Sequence, residues 1–175
     1  ATKGHEDLLG PASEVQAELM GIPSFETPDY SELFAEEKEM IGKLKKAFLM
    51  VAGGAVQKYG PDLDGHQQLL MAAADILIEI YMAESTILRT EKLAKTKGEA
   101  AVKEQIAMAQ LYLYKAVDII TQKGKEGIVS FAEGDEQRMM LMGLRRYTKY
   151  TNMPNVIGLR EIITSKLVAE NAYCF

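Results

Sequence analysis

The 175-residue sequence predicts an all-α protein, an up-and-down bundle of long antiparallel helices followed by shorter C-terminal ones. Three observations carry that prediction. Apolar residues recur three and four apart over several long stretches, the spacing that gathers side chains on one face of a helix. No stretch shows the period-two alternation of a half-buried strand. Proline, glycine and acidic residues fall where helices of this kind start and stop.

The elements follow in order. "LGPASEV" places Pro11 at the first position of a short helix, where a missing N–H costs nothing. That helix belongs to a leading segment, 1–30, expected to be linker plus short helix, with a bundle domain over 31–175. "SFETPDYSEL" is the connection between them. Ile41, Leu44, Phe48, Val51 and Ala55 mark a helix over about 31–59, stopped at Gly60. Pro61 and the acidic residues after it suit the positive end of a helix dipole and open the next, over about 62–96. Its face runs Leu69, Ala73, Ile76, Ile80, Ala83, Ile87. Gly98 is the stop, with Thr96 and Glu99 at capping-box spacing. Val102, Ile106, Ala109, Leu113, Ala116 and Ile120 define a helix over about 99–123. "FAEGDEQRM" then marks a boundary. Asp135 and Glu136 enter a shorter helix that ends near Arg145, Arg146 and Lys149, and Pro154 and Asn155 open the last one.

The long helices carry apolar residues beyond one stripe: Leu70, Leu77, Tyr81 and Leu88 on the third, Met108, Leu111 and Ile119 on the fourth. A band that wide implies contact with more than one helix, or with another domain.

Bulk properties set limits on function. A chain of this length buries roughly 70% of its unfolded surface as one domain. The net charge of −5 argues against a general nucleic-acid partner, which would bring a basic surplus. Cys174 stands alone, so no internal disulfide forms, and the single cysteine suits a reducing, cytoplasmic setting. No run approaches the ~18 consecutive apolar residues of a membrane span, and no secretory signal opens the chain. "ATKGHEDLLGP" reads as a cut within a longer protein, with Ala1 as a cloning residue, or equally as ordinary Met removal.

Catalytic chemistry finds little to use. A di-iron bundle needs Glu-x-x-His pairs, and the histidines, His5 and His66, do not follow a glutamate by three. No metal site and no cofactor site is expected in this segment. Glu79 and Glu84 interrupt the most apolar helix, but five residues apart they point in different directions. Structural ion pairs with Arg89 or a cation from another helix are the expectation, because buried charges persist only when paired. "VAGGAV", with Gly53 and Gly54, lacks phosphate-loop spacing and suits close helix approach. Met71, Met82, Met108, Met139, Met140 and Met142 read as pliable core filling, with an acyl-chain or partner groove as the alternative. Arg145, Arg146 and Lys149, beside Tyr147 and Tyr150, suit helix termination and docking, with contact to anionic lipid ranked second.

Two stretches, "AAADILIEIYMAESTILRTEKLA" and "LRRYTKYTNMPNVIGLREIITSKLVAENAYCF", resemble acyl-CoA dehydrogenases that carry an additional C-terminal helical domain. The likeness is to bacterial relatives of the very-long-chain enzyme and runs from "LLGPASEVQAELMGIP" onward. It implies a preceding lobe that binds FAD and acyl-CoA and carries a glutamate base for fatty acid β-oxidation. That base removes a proton α to the thioester while hydride passes from the β carbon to the flavin. It also implies that this domain packs on its own dehydrogenase lobe and covers a surface that smaller relatives use to form tetramers, so a homodimer is expected. FAD belongs to that whole enzyme, not to this segment. The resemblance places membrane association in this region, which the acidic balance makes unfavourable. From the residues alone, a free-standing helical adaptor for a partner helix or lipid surface stays open.

Overall fold

The computed structural model describes residues 8–21 and 29–175; the "SFETPDYSEL" connection through residue 28, His5 and the chain start lie outside the described residues. Among them are α1 (Leu9–Met20), α2 (Ala35–Tyr59), α3 (Gln67–Lys97), α4 (Lys103–Phe131), α5 (Gly134–Tyr147) and α6 (Val156–Glu170). Two 3-10 turns, Gly60–Gly65 and Glu99–Val102, join the long helices, and no strand occurs among the described residues. The all-α prediction holds.

Two clusters form the core along the length of α2. Toward its start, Met40, Ile41 and Leu44 meet Ile76, Ile80, Ala83 and Ile87 of α3 and Ala109, Leu113, Ala116 and Ile120 of α4. Toward its end, Met50, Val51 and Ala55 meet Val15 of α1, Ile128 and Phe131 of α4, and Met140 and Leu144 of α5. Each fully buried Leu or Ile contributes roughly 1.5–3 kcal/mol.

Glycines decide how closely the helices pack. A Cβ at Gly53 would sit 2.3 Å from the Ala12 Cβ, and one at Gly54 would sit 2.9 Å from the Met140 methyl. The Gly-Gly pair is therefore a helix contact, with α1 seated on one glycine and α5 on the other.

Several boundaries differ from the sequence reading. α1 starts at Leu9, so Pro11 lies two residues further in, still within the turn whose N–H groups lack intrahelical partners. α3 starts at Gln67 rather than 62, because burial of Leu63 draws the preceding residues into a 3-10 turn. Gly60 and Gly98 do end their helices, at φ 50° and 82°. Thr96 forms no cap; its hydroxyl donates back to the Lys92 and Leu93 carbonyls. α4 runs from Lys103 past 123 to Phe131, and Gly124 within it serves as a seat for Leu144 of α5. Asn155 does cap α6, accepting from the Gly158 N–H at 3.1 Å.

Gly53→Val should push α1 off α2 and destabilise the chain by about 1–3 kcal/mol. Gly42→Ala, on the exposed side of the same helix with nothing within 4 Å, should stabilise it by roughly 0.5–1 kcal/mol. Urea unfolding of the two variants reads both signs, and equal effects would refute the close α1–α2 seat.

Candidate functional site

α3 organises the polar chemistry. All four of its carboxylates turn sideways to neighbouring helices. Asp75 pairs with Lys123 of α4 at 3.3 Å, and Glu79 accepts from the Tyr112 hydroxyl of α4 at 2.9 Å. Glu84 pairs with Lys45 of α2 at 2.7 Å, and Glu91 with Lys38 of α2 at 2.9 Å. Glu79 and Glu84 thus face opposite flanks, and no acid–base dyad forms. Arg89 is exposed and pairs with neither; the cation that meets Glu84 comes from α2. Burial pushes the Tyr112 phenol up to about 12, with Glu79 adding to the rise. The Lys38 and Lys95 ammonium groups hold the Glu91 carboxyl below its usual value.

With its acids spent on the flanks, the outer face of α3 is apolar. Leu70, Leu77, Tyr81 and Leu88, the residues read as a second stripe, stand exposed, joined by Met71, Ile78 and Met82. Of the six methionines read as core filling, Met140 alone is buried, while Met40 and Met50 of α2 also fill the core. Met71, Met82 and Met142 are exposed, and Met108 and Met139 are half-buried.

Arg145 and Arg146 occupy the last turn of α5, with Lys149 just beyond it. All three are exposed, and no ion pair engages them among the described residues. Their tyrosine neighbours do not share that surface. Tyr147 is buried, and burial pushes its phenol up to about 12. Tyr150 is turned inward against Tyr114, with ring centroids 6.3 Å apart. Three cations without aromatic companions make a weak lipid site, since each contributes about 1 kcal/mol near an anionic surface.

α6 lies against α4, and none of its residues is buried. An open groove of about 1040 Å³ runs between the two helices. At its base the nearly buried Glu104 carboxylate has Lys166 at 3.7 Å and Lys103 at 3.9 Å. Sequence reasoning missed Glu104, as it missed Lys45 and Tyr112. A link such as Glu104–Lys166 spans far too much chain for any local spacing to signal it.

No group of three or more His, Cys, Asp or Glu side chains suited to a metal ion occurs among the described residues. The paired glycines are filled by Ala12, Met140 and Phe131, which leaves no backbone cradle for a diphosphate. No described helix is long and apolar enough to cross a membrane.

Comparison with known proteins gives these features a setting. The family model described as "Acyl-CoA dehydrogenase, C-terminal domain" matches residues 43–146. A Bacillus subtilis (strain 168) protein named "Probable acyl-CoA dehydrogenase" is 36% identical over 170 residues, covering 97% of this chain and 28% of its own. A crystal structure of an acyl-CoA dehydrogenase complexed with FAD from Bacillus anthracis superposes with a TM-score of 0.88 at 38% identity. That match covers 99% of this chain and 29% of the other. The chain therefore spans less than a third of the length of these relatives.

Tyr112→Phe should cost about 0.5–1.5 kcal/mol by leaving Glu79 without its donor. The folded phenol keeps its proton to about pH 12, against 10.0 ordinarily, so its contribution is intact below pH 10 and lost as pH rises through 12. Unfolding midpoints between pH 9 and 12 should fall less steeply in the variant. Glu91 acts at the other end. Its contribution is present above its ordinary 4.5 and is lost as pH falls through its depressed value. Acid unfolding of Glu91→Gln should show a shallower dependence below pH 4.5, and an unchanged acid limb would refute the pairing's role.

Proposed function

The chain belongs to the acyl-CoA dehydrogenase C-terminal domain family, and from that membership we propose that it is the appended helical domain of an FAD-dependent acyl-CoA dehydrogenase acting in cytoplasmic fatty acid β-oxidation. The observation that carries this reading is the extent of the likeness: 97–99% of this chain against 28–29% of each relative. Dehydrogenation of an acyl-CoA requires a base at the α carbon and a hydride acceptor at the β carbon. The acids on α3 are engaged with α2 and α4, so the base and the flavin belong to the remainder of the parent chain.

What this domain contributes is surface. It packs on its own dehydrogenase lobe and shapes a homodimer of the whole enzyme. Arg145, Arg146 and Lys149 supply three unengaged cations for an acidic patch on the lobe. α6, with apolar Ile157, Ile162 and Val168 exposed beside them in sequence, supplies burial. Peripheral membrane contact ranks below lobe docking, because the cations lack aromatic anchors. The exposed methionines and Tyr81 favour the second reading, a free-standing adaptor for a partner helix.

The intact mass of the natural gene product, detected with an antibody to this domain, separates the two. A band near about 65 kDa, the size that follows from a chain covering 28% of its relative, is expected. A band at 19.4 kDa would move the adaptor reading to the front. The 175-residue chain should purify colourless, and stoichiometric flavin retained through purification would overturn the assignment of FAD to the remainder.

A further inference from the structure

We propose that the cavity between the start of α2, α4 and the loop after α5 binds an organic ammonium ion, whose alkyl stem lies in the α4–α6 groove. The inference goes beyond the appended-domain reading and does not depend on it.

Position is the first observation. The cavity holds about 150 Å³ and is lined by Glu36 and Glu37 of α2, Gln110 and Leu113 of α4, and Tyr150 and Asn152 of the loop. Gln110 and Pro154 line both this cavity and the larger groove, so the two adjoin there. A compact head group suits the first space. A stem leaving it past Pro154 meets Leu159 and Ile162, the apolar residues of the groove.

Unmet bonding capacity is the second. The Tyr150 hydroxyl is wholly enclosed and has no hydrogen-bond partner among the described residues. Buried polar groups nearly always have one. Burial first, then neighbouring charges with Asp118 and Glu37 foremost, raise its phenol above the usual value. It therefore stays protonated at neutral pH and offers lone pairs to a donor.

Charge is the third, and it selects a cation. Glu18, Asp75, Glu84 and Glu91 each hold a lysine across a helix contact. Glu36 and Glu37 hold none among the described residues. Glu36 accepts the N–H and the side-chain amide of Asn152, and Glu37 accepts the Gln110 amide at 2.6 Å. Those bonds leave more than half of the roughly eight acceptor positions on two carboxylates open. With no lysine or arginine in its lining, the cavity presents two negative charges. Their place in the first turn of α2 favours the ionised form. The helix dipole accounts for the two acids, but not for an enclosed hydroxyl beside them. The cation is organic rather than metallic, because no third acid, histidine or cysteine joins the pair among the described residues. The Tyr150 ring adds a π face, to which ammonium ions are drawn.

Titration of the 175-residue chain with hexylammonium chloride, followed by amide NMR, tests it. The Gln110 side-chain amide and the Asn152 amide should shift saturably, with a dissociation constant in the millimolar range expected of a ligand of few atoms. Hexanol, which has the stem without the charge, should leave both unmoved. Glu37→Gln should weaken binding about tenfold and Tyr150→Phe about threefold. Tyr150→Phe should keep its urea midpoint at or above that of the wild type, since the free protein gives that hydroxyl no bond to lose. Asp62→Asn removes the same charge in the turn beyond the far end of α2 and should change nothing. A blocked lysine, Nα-acetyl-lysine N-methylamide, identifies the source. Binding tighter than that of hexylammonium assigns the site to a lysine side chain of a protein partner, and weaker binding assigns it to a free amine. No saturable shift with either amine, an equal response to hexanol, cavity variants that bind like the wild type, or an equal loss in Asp62→Asn overturns the proposal. None of these results touches the appended-domain reading, which the mass of the natural gene product decides.

Discussion

The seam between α3 and α4 is the contact on which the rest of the molecule depends. Ile76, Ile80, Ala83 and Ile87 lie against Ala109, Leu113, Ala116 and Ile120, and α2 closes over both with Met40, Ile41 and Leu44. The carboxylates flank that stripe as two pairs, one lashing α3 to α4 and one to α2. Exposed ion pairs of this kind are worth only ~0–1 kcal/mol each, so they do not supply the stability of the seam. They set the rotation of α3 about its own axis. With the helix pinned on both flanks, the side chains left over have one direction in which to point, and those side chains are apolar.

The far half of the bundle solves a different problem. A short helix such as α5 has few side chains to bury, so it must come close to what it covers. Gly54, Gly124 and Gly143 remove Cβ atoms where Met140, Leu144 and Leu19 would otherwise collide. Close approach there secures α1 and α5 with small residues, whereas the α3 seam uses large branched ones. α6 receives neither treatment. It rests on α4, buries no residue fully, and shows apolar side chains on several sides. A helix with that composition is normally enclosed on more than one side, whereas α6 packs chiefly against α4.

Much of this was legible in the sequence because it follows from local periodicity. The faces of the three long helices, the glycine stops at Gly60 and Gly98, the Asn155 start and the extra stripe on α3 all depend on residues within a turn or two of each other. What escaped had two causes. Some boundaries escaped because they depend on a distant helix: α4 continues past 123 through Gly124, whose missing side chain leaves room for Leu144 of α5. Other features escaped because their partners lie far apart in the chain. Of the partners open to Glu84, Arg89 or a cation from another helix, packing supplies the second as Lys45, and Tyr147 and Tyr150 turn inward although their neighbours are basic and exposed. In each case tertiary packing chose among candidates that spacing could not rank.

The division between charge and apolar surface also bears on how such a domain chooses what it touches. Arg145 and Arg146 sit where the α5 dipole is negative, which stabilises them by ~0.3–1 kcal/mol each. That attraction is weak enough to leave the guanidinium groups free to engage an outside carboxylate, and no carboxylate within the described residues does so. An apolar face, by contrast, binds most apolar faces about equally well and gains specificity only from shape and order. The two surfaces are carried by different elements, the cations by the end of α5 and the residues just after it, the exposed apolar side chains by α3. A substitution at either should leave intact the seam that holds the bundle together, because neither surface contributes to it.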